Sequence, residues 1–208
     1  LLVDARTAAA RHLVQERDSA NVSAEWRSVW SADGQGIYFT SDRAADYHLW
    51  YAPVNGRAPR AITSGEWAVF GSTLTANGHL LVANAGRPEE RQLFRVPLGG
   101  GAATRVSWRS GTHTPTVSPD GRWAAVLFSS DIIPPDLYIT DLAVSRPSLT
   151  SERRVTTSPR AEFARYTWTT PRYVSFPSRA DGATLHARLL PPAGYQPGQR
   201  YPVIMGSV

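Results

Sequence analysis

In HLWYAPVNG (48–56), QLFRVPLGG (92–100) and DLYITDLAV (136–144) apolar and polar residues alternate with the period of two expected of a half-buried strand. Each of these runs follows another β-prone run that closes on small polar residues: GIYFTSD (36–42), HLLVANA (79–85) and RWAAVLFSSD (122–131). A shorter piece follows each one: PRAITSG (59–65), ATRVSW (103–108) and RRVTTS (153–158). Turn phrases head the three sets, WSADG from Trp30, LTANG from Leu74 and VSPDG from Val117, with their Asp or Asn residues 44 and 43 residues apart. Asp-Gly and Asn-Gly between β-prone runs mark tight hairpins, because such turns need backbone angles that Gly and Asn tolerate.

Four short strands per repeat of this length is the size of one β-propeller blade, and three full repeats cover about residues 26 to 157. AARHLVQERDSANVSAEW (9–26) reads as the tail of an earlier blade. The expected fold class is therefore mainly β, a partial β-propeller of about three four-stranded blades, since a closed propeller has four to eight. On this reading Trp30, Trp50, Trp123, Leu74 and Val117 pack between blades, and Asp33, Asn77 and Asp120 are turn formers.

The repeat is lost after Thr157. RYVSFPS (172–178) and ATLHARLLPP (183–192) read as two strands joined by RADG, and a Pro- and Gly-rich loop leads to YPVIMGSV (201–208). That unbroken apolar run fits a strand buried on both faces, as in the central sheet of an α/β domain. The expected division is propeller blades over 1–160 and the first strands of an α/β domain over 161–208.

Composition agrees with short strands and frequent turns: 16 Gly, 16 Pro, 7 Trp and 8 Tyr among 208 residues. All 22 basic residues are Arg, yet they are interspersed with 17 acids and the net charge is +5, so no basic stripe argues for nucleic acid as a partner. The absence of Cys excludes disulfides and thiolate metal sites and leaves the redox compartment open. No apolar run is long enough to cross a bilayer as a helix, and the start LLVDARTAAARHLV reads as the inside of a longer chain.

Two passages carry a resemblance. SDRAADYHLWYAPVNGRAPRAITSGEWAV (Ser41 to Val69) and SGTHTPTVSPDGRWAAVLFSSDIIPP (Ser110 to Pro135) are similar, in that order, to passages of the dipeptidyl peptidase IV branch of the prolyl oligopeptidase family of serine peptidases. In that family an α/β-hydrolase domain follows a β-propeller. The chain departs from the pattern at Ala44-Ala45, where the family usually has Gly, and lacks a YGGP-like continuation after YPVI. The resemblance implies a peptidase that acts on short peptides and releases N-terminal dipeptides of the Xaa-Pro or Xaa-Ala type. It implies peptide substrate, the remainder of the same polypeptide and a second copy of the chain as partners, no cofactor, and the bacterial periplasm or the cell exterior as location, with the cytoplasm left open.

No catalytic residue is assigned within this chain: G-x-S-x-G does not occur, and Gly206-Ser207 has no helix following it. The five histidines lack metal-ligand spacing and read as structural or surface residues. Glu89-Glu90 reads as a solvated pair in a loop. In the resembled family the loop matching Arg43 to Tyr47 can face the substrate cavity, which makes Asp46 and Tyr47 the candidate substrate-binding residues; an ordinary exposed hairpin tip is the alternative. A non-enzymatic propeller that binds other proteins explains the repeats equally well but not the RADG hairpin or the YPVIMGSV strand.

Overall fold

The computed structural model describes residues 1–16, 28–44, 46–84, 87–143 and 151–206. It separates into two compact units, Leu1–Ser158 and Pro159–Val208.

In the first unit three four-stranded antiparallel sheets follow one another. A short N-terminal pair, β1 (Leu2–Val3) and β2 (Ala10–Arg11), precedes them. Blade one is β3 (Ser28–Trp30), β4 (Gly36–Ala44), β5 (Asp46–Pro53) and β6 (Arg60–Ala61). Blade two is β7 (Val69–Thr75), β8 (Gly78–Ala83), β9 (Gln92–Val96) and β10 (Thr104–Arg105). Blade three is β11 (Thr112–Val117), β12 (Trp123–Ser129), β13 (Asp136–Asp141) and β14 (Glu152–Arg154). Within each blade the strands pair in chain order as a meander, which is the fold class read from the repeats.

The turn phrases sit where their chemistry requires. Asp33 accepts bonds from the Ser31 hydroxyl (2.6 Å) and the Gln35 N–H (2.9 Å), and Asp120 accepts the same pair from Ser118 (2.5 Å) and Arg122 (3.0 Å). Gly34 and Gly121 follow at φ +68° and +70°, the left-handed region that a side chain disfavours. In blade two the connection is tighter, with Thr75 pairing Gly78 directly across Ala76-Asn77.

Two seams make the core. Tyr38, Leu49 and Ile62 of blade one meet Val69, Leu81 and Val96 of blade two. Leu80, Leu93 and Val106 of blade two meet Ala124, Val126, Phe128 and Tyr138 of blade three. The middle blade is thus covered on both faces, which is why β8 reads GHLLVA, buried at every position but Val82, rather than alternating. Blade three alternates instead: Ala124, Val126 and Phe128 are buried, whereas Trp123 and Leu127 on the opposite face are exposed.

This corrects the reading of two tryptophans. Trp30 is 51% and Trp123 39% exposed, so neither packs between these blades; a tryptophan on a blade is buried only when its face of the sheet meets a neighbour. Of the expected earlier-blade tail, Ala10–Arg11 pairs with Leu2–Val3, and residues 17–27, Trp26 among them, lie outside the described residues.

The second unit holds a 3₁₀ turn (Ala161–Arg165) and a hairpin of β15 (Arg172–Pro177) and β16 (Thr184–Leu189). The RADG turn closes the hairpin as expected, with Asp181 accepting the Ala183 N–H at 3.1 Å and Gly182 at φ +77°. The strand expected at YPVIMGSV is not found: Tyr201–Gly206 pair with nothing among the described residues, and Ile204 is fully exposed. Hydrophobicity provides a reason to be buried, but a two-face-buried strand also needs flanking strands to bond its backbone.

Candidate functional site

The candidate residues Asp46 and Tyr47 open β5 at the β4–β5 hairpin tip, where Ala44 pairs with Asp46. The register shifts between Ser41 and Ala44, a bulge that turns the tip relative to the strands below it. The base of the tip is held by Arg43. Its guanidinium lies 4.9 Å from the Trp50 ring and 5.3 Å from the Phe39 ring, donates to the Ser41 hydroxyl at 3.1 Å and pairs with Glu16. Glu16 also accepts the Ser41 hydroxyl at 2.9 Å, tying the N-terminal segment to the hairpin. On this base Asp46 is exposed and Tyr47 half-buried, and neither has a hydrogen-bond or ion-pair partner among the described residues. The Asp46 carboxylate can receive a cationic amine, and the Tyr47 phenol can donate to a carbonyl.

A second constellation recurs in every blade and is structural. The first buried residue of each third strand is polar and is followed by Leu: His48-Leu49, Gln92-Leu93 and Asp136-Leu137. A hydroxyl on the outer segment accepts the Leu N–H, from Leu49 to Thr63 (3.0 Å), Leu93 to Ser107 (3.0 Å) and Leu137 to Thr156 (2.9 Å). The same hydroxyl meets the polar side chain: Thr63 lies 3.1 Å from His48 Nδ1, Ser107 donates to Gln92 Oε1, and Thr156 donates to Asp136 at 2.8 Å. His48 Nε2 lies 3.1 Å from the Gly65 carbonyl, which can only accept, so the proton sits on Nε2 and Nδ1 receives the Thr63 hydroxyl.

Asp136 is the most heavily bonded of the three. Its burial would push its pKa up, but the Ser158 N–H, the Thr156 and Ser158 hydroxyls and Arg154 together hold it well below the usual carboxylate range. In the turns, Asp33 and Asp120 are lowered mainly by their neighbouring Ser hydroxyls.

Glu90 departs from its expected solvated state. It is 4% exposed and accepts from Gln92 Nε2 (2.6 Å) and the Ser110 hydroxyl (2.5 Å), with Arg87 at 3.1 Å. The loop folds back so that Gln92 links the blade-two constellation to this acid.

Three of the five histidines are buried. Besides His48 they are His79, edge-on to the Tyr38 ring at 4.2 Å with no partner for either nitrogen, and His113, whose Nδ1 lies 2.8 Å from the Arg91 carbonyl. Burial lowers both His79 and His113 to about 4. No group of His, Asp and Glu able to hold a metal ion occurs among the described residues, and no helix is long and apolar enough to cross a membrane. Ser207 lies outside the described residues.

Meandering four-stranded sheets, packed face to face in chain order, define a chain of β-propeller blades. Residues 1–135 match the family model of the dipeptidyl peptidase IV (DPP IV) N-terminal region, and the chain belongs to that family. It is 26% identical over 167 residues to a probable dipeptidyl-aminopeptidase B of Emericella nidulans, an alignment covering 76% of this chain and 18% of that protein. Its fold is similar to the crystal structure of Porphyromonas gingivalis dipeptidyl peptidase 4, with a TM-score of 0.69 at 20% identity over 84% of this chain and 24% of that one. The chain therefore spans about a fifth to a quarter of the length of the relatives it matches.

Proposed function

We propose that this chain is the propeller portion, with the opening strands of an α/β-hydrolase domain over residues 161–208, of a serine peptidase that releases N-terminal dipeptides from short peptides. The observation that carries this reading is the family match over residues 1–135, which takes in blades one and two and the first two strands of blade three. The relatives on both sides of the comparison are named as dipeptidyl peptidases or aminopeptidases, which supports the same activity here. The propeller would narrow access to the hydrolase site. Asp46 and Tyr47, on their Arg43-anchored hairpin, would line an extended part of the peptide subsite, the carboxylate toward a cationic group and the phenol toward a carbonyl. The nucleophile and its base lie on the remainder of the polypeptide, so the 208-residue chain by itself is inactive. A homodimer working in the periplasm or outside the cell completes the proposal.

The test is made on the full-length protein. A fluorophosphonate probe should label it, and it should release p-nitroaniline from Ala-Pro- and Ala-Ala-p-nitroanilide but not from the N-acetylated forms. The 208-residue chain should do neither. Cleavage of blocked internal bonds would replace the dipeptidyl reading with an endopeptidase one; no labelling and no cleavage would favour the protein-binding propeller. Asp46→Asn and Tyr47→Phe should raise KM while sparing kcat for substrates of four or more residues.

A further inference from the structure

Blades one and two leave a cleft of about 770 Å³ between the outer end of blade one and the β9–β10 turn of blade two. Ile62, Trp67, Phe94 and Ala103 line it, with Gly100 on one wall and Glu66 among its lining residues. Its construction depends on two glycines. Gly65, at φ +123°, has no Cβ where one would fall 2.8 Å from the Trp67 ring, and this lets the indole fold back and donate to the Ser64 carbonyl at 2.9 Å. Gly100, at φ +91°, brings the turn against Ile62, where a Cβ would sit 3.2 Å from the Ile62 carbonyl oxygen. The Trp67 and Phe94 rings stand 5.8 Å apart, both half-buried, and His48 packs edge-on against Trp67 behind them.

The cleft also carries an acid without a partner among the described residues, as the Asp46 tip does. In an arginine-rich chain, Glu16, Glu89, Glu90, Glu152 and Asp136 each pair with an Arg, whereas Glu66 is exposed and no hydrogen bond or ion pair reaches it among the described residues. The neighbouring Arg60 is engaged elsewhere, donating to the Gly99 carbonyl at 2.9 Å and stacking over Tyr51. A free carboxylate beside two aromatic rings is the combination that receives a cation carried on an apolar stem.

We propose that the cleft is an accessory site for an organic cation, a guanidinium on an aliphatic stem such as an arginine side chain presents, with Trp67 and Phe94 receiving the stem and Glu66 facing the charge. Neither Asp46 nor Tyr47 lines the cleft, and the proposal does not depend on the peptidase reading. The probe is n-butylguanidinium, titrated calorimetrically into the protein, with n-butylurea as its uncharged counterpart and Glu66→Gln and Glu66→Lys as variants. Because Glu66 is exposed and makes no bond, both variants keep the fold, which circular dichroism verifies. Binding with a Kd on the order of a millimolar is expected for so small a ligand. Glu66→Gln should weaken it about fivefold or more, Glu66→Lys should abolish it, and n-butylurea should bind the native protein no better than n-butylguanidinium binds Glu66→Gln. No binding by the native protein, binding that survives Glu66→Lys, or equal affinity for n-butylurea would each overturn the proposal.

Discussion

Lowering the pH from 7.5 to 4 should destabilise the blade unit in a window set by two buried histidines. His79 and His113 are nearly inaccessible, and burial holds both near pKa 4 against an ordinary value of 6.5. For His113, the Arg91 carbonyl and Glu90 favour the charged form, while Arg105 and Arg109 add to the lowering. The folded state therefore binds fewer protons than the unfolded chain between pH 6.5 and 4, so stability is fully present above 6.5 and falls as the pH drops toward 4. Each histidine contributes a slope of up to about 1.4 kcal/mol per pH unit, or about 3 kcal/mol across the window, comparable to a sizeable part of a domain's net stability. The assay is urea denaturation followed by tryptophan fluorescence at pH 7.5, 6, 5 and 4.2, on the native protein and on His79→Leu. That variant removes two unpartnered nitrogens from the seam beside Tyr38, so it should be at least as stable at pH 7.5 and lose about half of the acid dependence. Should His79→Leu keep the full slope between pH 6.5 and 4, the buried-neutral histidine account is wrong.

The remaining predictions concern the bonds and close approaches that hold the blades. Thr63→Val and Ser107→Ala should each cost about 1–3 kcal/mol in denaturant melts, because each leaves a Leu N–H and one buried acceptor, His48 Nδ1 or Gln92 Oε1, unpaired. Asp136→Asn should lower the melting temperature at pH 7 and shrink the loss of stability below pH 4, where native Asp136, lowered by its bonds, gives up its contribution as it is protonated. Gly78→Ala and Gly111→Ala should cost roughly 3 kcal/mol or more, since a Cβ would fall 2.3 Å from the Val96 carbonyl oxygen and 2.4 Å from that of Ser129 at positive φ. Gly34→Ala, where nothing lies within 4 Å, should cost only the backbone term of about 1 kcal/mol.

Features decided within a few residues were legible from the sequence. Ser31 and Asp33, and again Ser118 and Asp120, close their turns by bonds reaching two residues along the chain, so WSADG and VSPDG specify their own geometry. The hairpin tip at Asp46 and Tyr47 was legible from the β-prone runs on either side and from the family resemblance, although its base was not: Glu16 reaches Ser41 and Arg43 across a chain separation that no local pattern encodes. Glu90 shows the opposite failure. Adjacent acids in a loop read as solvated, yet Gln92 at the start of β9 and Ser110 beyond β10 close over Glu90 and supply its bonds. Trp30 and Trp123 were misread because composition says that a side chain favours burial, whereas the packing of neighbouring sheets decides which face is covered.

The blade constellation lies between these cases, because its signal stood in plain view. His48-Leu49 is followed 15 residues later by Thr63, and Gln92-Leu93 at the same distance by Ser107. In blade three the partner of Asp136-Leu137 comes 20 residues on, at Thr156, and the longer β13–β14 connection hides the match. The three polar residues share no chemistry as a class: an imidazole, an amide and a carboxylate. They share a demand on the hydroxyl, whose proton each accepts while the hydroxyl oxygen takes the Leu N–H. An outer strand of only two or three residues has few backbone bonds to hold it, and this side-chain clasp supplies an additional one at the point where the strand ends. A blade can therefore exchange His for Gln or Asp without losing its outer edge, provided the Ser or Thr stays. A repeat search keyed to residue identity in the third strand misses what one keyed to the hydroxyl in the fourth would find.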